Sequence, residues 1–335
     1  MYAVQKEDDT MRYGIILTAG LAILMLFLAG CSSGTDAPSL VTGRSFNGGT
    51  DGIKMDFMSN APPPTVFDTS DSVFDVSLRL QNLGEYQVEP EEATVQIIGI
   101  DPGQFSLADP VQNPSGTLYG VRLDPQGNVI PGTIMTVDFF GLHWSGNQLT
   151  GSVPYQISAS LCYQYETKAI AKLCLKPDLL TRPRASDVCD VTRAMNPESS
   201  GAPIRVENLK QSAVGKNKLT FSFQIQHVGT GEIFTNEAGA AVCDDSRFSN
   251  EDKVKVSDSI LSGLGNLGTI SCPGLSQNDG YVKLFDGKAT ISCTAELSSG
   301  AVSGNFERAL DINLIYNYRE IESVPIMVRH IEDEG

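Results

Sequence analysis

The chain of 335 residues carries 40 Asp and Glu against 24 Lys and Arg, a formal net charge of −16, and is 41% hydrophobic. A charge this acidic repels phosphate backbones and anionic headgroups, which excludes a backbone-contacting nucleic-acid role and suits solubility in salt or loose binding of divalent cations. The apolar content is enough for packed cores, so the chain is no disordered stalk, and its length suggests about two domains.

The N-terminal stretch has the order of a secretory signal. Arg12 precedes an apolar run, residues 13–27, which ends in Leu28-Ala29-Gly30-Cys31 and gives way to Ser32-Ser33-Gly34-Thr35, a flexible polar tether. Glu7, Asp8 and Asp9 do not suit a positive n-region, so Met11-Arg12 reads as a better start than Met1. Leu28-Ala29-Gly30-Cys31 resembles the lipobox of prokaryotic lipoproteins, which implies removal of residues 1–30 and acylation of the Cys31 thiol. The rival reading is an uncleaved signal anchor, because the run is about the minimum length of a spanning helix. Either way the chain is held to the cell membrane by an N-terminal lipid or helix, with its bulk on the extracytoplasmic face.

Residues 31–52 are rich in Gly, Ser, Thr and Asp and lack apolar periodicity, so they read as a linker. Alternation of apolar and polar residues, the mark of a half-buried strand, begins at Ile53-Lys54-Met55-Asp56-Phe57 and stops before Pro62-Pro63-Pro64. It is clearest where Phe74, Val76, Leu78 and Leu80 alternate with Asp75, Ser77, Arg79 and Gln81, running into the turn Asn82-Leu83-Gly84. Residues 93–101 and 133–142 form further strands, separated by a proline-rich loop region. Residues 155–166 and 168–176 are expected to form a hairpin. No segment holds a three-four apolar period, so helix content is expected to be low.

The second half repeats this plan. Residues 218–229 lie over 73–84 at a constant offset of 145, so that His227-Val228-Gly229 falls on Asn82-Leu83-Gly84. Leu314-Ile315-Tyr316-Asn317-Tyr318 falls on Leu161-Cys162-Tyr163-Gln164-Tyr165 at an offset of 153. Internal repetition at this length means two related β units in tandem. With about seven short strands per unit, the expected fold is all-β: two tandem immunoglobulin-like β-sandwich domains after the N-terminal signal or anchor helix. The boundaries are 53–177 and 203–332, with 178–202 a proline-rich linker.

Beyond Cys31 six cysteines remain, an even number that reads as disulfides in an exported chain. None has zinc-ligand spacing, and His143, His227 and His330 are scattered, so no metal or cofactor is expected. A hairpin register centred on Lys168 places Cys162 opposite Cys174. The corresponding pair in the second repeat, Ile315 and Met327, is apolar at both positions. The expected bridges are therefore Cys162–Cys174, Cys272–Cys293 and, joining the linker to the second unit, Cys189–Cys243. The runner-up for the first is Cys174–Cys189.

The alternating strand that ends in Asn82-x-Gly84 or His227-x-Gly229 resembles the CARDB-type immunoglobulin-like domains of prokaryotic surface proteins. The Tyr-x-Tyr segments also look like a group of secreted archaeal proteins. The resemblance implies no particular activity.

No Gly-x-Ser-x-Gly elbow, His-Glu-x-x-His motif or phosphate loop occurs, so no catalytic residue is expected. His143-Trp144 reads first as a strand end beside a core aromatic and second as a sugar-stacking pair. The four tyrosines read as structural rather than as a recognition ladder, with hydroxyls toward water. Asp244-Asp245 and Glu251-Asp252 read as a solvated acidic loop rather than a calcium site. The expected function is a non-enzymatic binding or spacer module of the cell envelope. It would meet an extracellular protein or glycan, not nucleic acid, through the loops of 102–131 and the acidic insertion 236–258. The alternative is an extracellular enzyme or accessory domain acting on surface polysaccharide, which would need a cleft gathering His143 with two carboxylates.

Overall fold

The computed structural model describes residues 44–277 and 280–331. The signal segment 1–30, Cys31 and the first part of the tether lie outside the described residues. The first half supplies β1 (Ile53–Phe57), β2 (Thr65–Phe67), β3 (Phe74–Asn82), β4 (Ala93–Ile98), β5 (Val111–Gln112), β6 (Arg122–Leu123), β7 (Val129–Ile130), β8 (Ile134–Leu142) and β9 (Ser152–Leu175). The second supplies β10 (Glu198–Ser199), β11 (Ile204–Ala213), β12 (Lys218–His227), β13 (Glu232–Phe234), β14 (Lys253–Val256), β15 (Gly268–Ser271), β16 (Tyr281–Lys283), β17 (Lys288–Leu297) and β18 (Phe306–Arg329). The fold is all-β with several sheets, antiparallel except where β2 pairs with the end of β18. No helix among the described residues is long and apolar enough to cross a membrane.

Each repeat has its own small sheet, β1-β3-β8 in the first and β11-β12-β17-β15 in the second. A third sheet, ordered β16-β14-β18-β9-β4-β5, is shared by both. Its spine is β9 and β18, two strands of 24 residues that pair antiparallel from end to end. The hairpin expected within 155–176 is thus replaced by one straight strand. Odd-numbered residues from Ile157 to Leu175 are all buried. A hairpin folded at Lys168 would keep the same parity on both arms, so alternation alone does not separate the two arrangements. The deciding stretch is Glu166-Thr167-Lys168-Ala169, which has no Gly, Pro, Asn or Asp to turn the chain.

The ladder register places Tyr163 opposite Tyr318 and Tyr165 opposite Tyr316, a two-fold arrangement about the Gln164–Asn317 pair. All four rings are fully buried, contrary to the expectation of hydroxyls toward water, and their edges meet at centroid distances of 5.6–6.5 Å. Each hydroxyl is satisfied internally, as burial of a phenol requires. Ile53 N donates to Tyr163 Oη at 3.0 Å, and Tyr165 Oη donates to Asn82 Oδ1 at 3.0 Å. Tyr316 Oη lies 3.0 Å from Thr167 Oγ1, and Tyr318 Oη lies 2.9 Å from His227 Nε2. Burial pushes all four phenol pKa values up and the His227 pKa down, which favours the neutral imidazole beside Tyr318. The repeated Asn/His-x-Gly turn follows from this contact. A Cβ on Gly84 would collide with the Tyr165 hydroxyl, and one on Gly229 with the Tyr318 hydroxyl.

Straightness of β9 also decides the disulfides. Twelve residues of extended strand put Cys162 and Cys174 about 40 Å apart, whereas a bridge spans a Cα separation of about 4.4–6.8 Å. The structure joins Cys162 to Cys243 and Cys174 to Cys189, at Cα separations of 5.9 and 5.6 Å. These replace both the expected Cys162–Cys174 and the expected Cys189–Cys243. The third bridge joins Cys272 and Cys293. Asn317, inside β18 near Cys162, brings Cys243 into place: its Nδ2 donates to Gly239 O at 2.8 Å and Val242 O at 2.9 Å. Cys189 is returned to β9 by the buried Lys176, whose Nζ lies 2.8 Å from Asp187 Oδ2. Three disulfides suggest an extracytoplasmic location.

A non-reducing peptide map is expected to show Cys162 with Cys243 and Cys174 with Cys189. The first closes a span of 81 residues, and its loss in Cys243→Ser is expected to cost about 4 kcal/mol. Asn82→Ala leaves the buried Tyr165 O–H without its acceptor and the Tyr86 carbonyl without the Asn82 amide, and removes one of the two donors to the Leu118 carbonyl. The expected loss in urea unfolding is about 2–4 kcal/mol.

Candidate functional site

The residues singled out by sequence are dispersed. Cys31 lies outside the described residues. Trp144 is buried, donates its indole N–H to Asn147 O at 3.0 Å and packs on Phe105 and Tyr155, so it offers no stacking face. His143 Nδ1 sits 3.2 Å from Gly141 O, with no carboxylate partner among the described residues. In the acidic insertion, Asp244 accepts from Ser246 N at 2.9 Å and Asn250 Nδ2 at 3.2 Å. Asp245 pairs with Arg319 at 2.9 Å and Glu237 with Lys253 at 2.7 Å. Among the described residues no three His, Cys, Asp or Glu side chains are grouped to hold a metal ion.

What the fold does assemble is a groove at the middle of the shared sheet. One edge of β9 is covered throughout by β18, so β4 and β10 share the other. The pairing with β4 reaches Tyr163, and that with β10 begins at Ala169. Residues 164–168 therefore have no strand beside them on that edge. A groove of about 480 Å³ opens here, lined by Phe46, Tyr86, Tyr119, Arg122, Glu166 and Lys168 among others.

Three segments distant in sequence are tied at its rim by one carboxylate. Glu85 Oε1 accepts from Asn47 N at 2.9 Å, and Oε2 accepts from Gly48 N at 2.9 Å and Gly201 N at 2.6 Å. This fixes the N-terminal strap that carries Phe46 and the turn before β11. On the far rim, the loop between β5 and β6 presents Tyr119, which is 46% exposed, with the Arg122 guanidinium 5.7 Å from its ring centre. The Tyr119 loop is itself fixed by Val121 N donating to Gly84 O at 2.7 Å. On the floor, burial pushes the Glu166 pKa up, Lys168 draws it down and Glu92 adds to the rise. Among the described residues, Arg122, Glu166 and Lys168 make no ion pair or side-chain hydrogen bond.

The second repeat shows the same place closed. By the repeat offsets, Glu166 corresponds to Arg319 and Gln87 to Glu232. There β13 pairs with β18 at Glu232↔Arg319, and the guanidinium lies 2.7 Å from Glu232, 2.9 Å from Asp245 and 4.7 Å from the centre of the Phe234 ring. In the first repeat the neighbouring segment bridges Val88 to Leu118 instead, and the edge of β9 stays open.

No protein-family model matches the chain, and no curated protein does. Of the two surfaces expected from sequence, 102–131 supplies Tyr119 and Arg122, whereas the insertion 236–258 closes the counterpart site through Asp245. Phe46, Tyr86, Glu166 and Lys168 were not singled out by motif. The signal that marks Glu166 and Lys168 is divergence between the repeats, since Arg319 and Ile321 occupy the equivalent positions.

A second ionisable group is also perturbed. Glu320 on β18 is pushed up to about 7 by burial and by Asp51, Glu322 and Asp56, with Lys54 opposing. An acid raised above its unfolded value of about 4.3 holds its proton more tightly when folded, so stability falls as pH rises from about 4.3 towards 7. Glu320→Gln is expected to gain about 1–3 kcal/mol at pH 8 and nothing at pH 4. Urea unfolding at both pH values checks this.

Proposed function

We propose that this chain is an exported, membrane-tethered and non-enzymatic binding module of the cell envelope, acylated at Cys31. Each repeat is read as an immunoglobulin-like sandwich, a reading supported by the separate small antiparallel sheet that each carries besides its strands in the shared sheet. Three disulfides support the extracytoplasmic part of the proposal, because such bridges form and persist in oxidising compartments. The Leu28-Ala29-Gly30-Cys31 stretch supports lipid attachment over a retained helix.

The observation that carries the binding role is the open groove over β9 in one repeat against the closed counterpart in the other. Two related units with a shared spine need no such difference for stability. The Glu85 junction ties the segments of Phe46, Tyr86 and Ser200 together at the groove, which lowers the ordering cost of binding.

In cells, Cys31→Ser is expected to abolish metabolic labelling with a radioactive fatty acid and to release the chain from the membrane fraction. External protease is expected to reach the wild-type chain on intact cells. A Cys31→Ser protein that stays in the membrane would place the anchor in the apolar run rather than in a lipid.

A further inference from the structure

We infer that the groove over residues 164–168 of β9 binds a short, uncharged oligosaccharide. The inference rests on the binding-module reading above and names its ligand class. A sugar ring presents a C–H face that stacks on aromatic rings and a rim of hydroxyls that both donate and accept hydrogen bonds. The groove offers both kinds of partner. Tyr119 is a half-exposed ring on the rim, with Phe46 and Tyr86 on the other lining segments. Arg122 and Lys168 are donors and Glu166 is an acceptor, and none of the three has its polar atoms in an ion pair or side-chain hydrogen bond among the described residues, Arg122 lying over the Tyr119 ring. A volume of about 480 Å³ falls within the size of small-ligand sites, about 300–1,000 Å³.

Charge separates a neutral sugar from an acidic one. Arg122 and Lys168 stand among the carboxylates of Glu166, Glu85 and Glu92, so the groove carries no excess of positive charge to draw an anion. A uronate would bring a carboxylate beside Glu166, and the chain's net charge of −16 repels polyanions before they arrive. The second repeat shows what removes the site. Arg319 stands where Glu166 stands, pairs with Glu232 and Asp245, and fills the space with its own guanidinium. Glu85 takes no part in recognition, because its oxygens are occupied by three backbone N–H groups.

The test is calorimetric titration of the full chain in detergent micelles with neutral gluco-, galacto-, manno- and N-acetylglucosamine oligomers and with uronic-acid oligomers of equal length. At least one neutral series is expected to bind, and the uronates at least tenfold more weakly, about 1.4 kcal/mol. Tyr119→Ala is expected to weaken binding at least tenfold with an unchanged melting temperature, and Tyr119→Phe to retain it. Arg319 is untouched by these variants, so the closed counterpart serves as an internal control. The inference is overturned if no neutral oligomer binds at millimolar concentration, if uronates bind as tightly, or if Tyr119→Ala leaves affinity unchanged. Failure of the underlying reading looks different. A surface-exposed, Cys31-tethered chain that binds no neutral sugar overturns the ligand alone, whereas a chain retained in the cytoplasm overturns the export reading whatever it binds.

Discussion

The pairing of β9 with β18 is the contact on which the rest of the molecule depends. Two strands of 24 residues, one from each repeat, lie antiparallel along their whole length. The midpoint of that ladder is where four tyrosine rings meet. Buried phenols demand partners: those of Tyr163 and Tyr165 come from β1 and the end of β3, that of Tyr316 from Thr167 across the ladder on β9, and that of Tyr318 from the end of β12. The small sheets are therefore held against the spine by hydrogen bonds as well as by apolar burial. Neither repeat owns a complete sheet, because each long strand begins beside one repeat and ends beside the other. Strand β18 ends against β2 of the first half, and β9 ends beyond β10 of the second.

Polar side chains then set the junctions that strand pairing leaves undefined. Asn317 directs the 239–242 loop onto the spine and so delivers Cys243 to Cys162. Glu85 joins the N-terminal strap, the β3–β4 connection and the turn at Gly201 through three backbone N–H groups. A carboxylate bound this way is a fixed point: it holds loops in register without needing a regular strand between them. At the other end of the first repeat, the Asp68 carboxylate accepts from Leu149 N at 2.9 Å and lies 2.8 Å from His330 Nδ1. Burial pushes the Asp68 pKa up, but these bonds and the Ile331 N–H outweigh it and hold the carboxyl below its ordinary value.

Symmetry with one exception is what gives the groove its meaning. The two repeats use the same turn, the same Tyr-x-Tyr pair and the same crowding of glycine against a phenol. They differ beside the spine, where one closes its edge with β13 and a triply held arginine while the other leaves Glu166 and Lys168 facing space. The open side collects aromatic and hydrogen-bonding groups from four separate stretches of chain, on walls that are already fixed.

By itself the sequence determined β1, β3, β4, β8 and β12, the scarcity of helix and the repetition between the halves. Period-two burial and the Asn/His-x-Gly turns are local properties, and the offsets of 145 and 153 compare the halves directly. It also determined that the six cysteines suit an oxidising compartment, and it marked 102–131 as a surface of interest through its prolines and turns. Tertiary structure decided what the alternation could not. A hairpin bent at Lys168 and a straight strand place the same odd-numbered residues on one face, so the partner strand, not the pattern, chose between them. Once β9 was straight, Cys162 and Cys174 could not meet, and each took the cysteine that a folded loop brought within reach. The groove followed in the same way: Phe46, Tyr86, Tyr119 and Glu166 carry no shared motif, and only the gap between β4 and β10 along one strand edge brings them together.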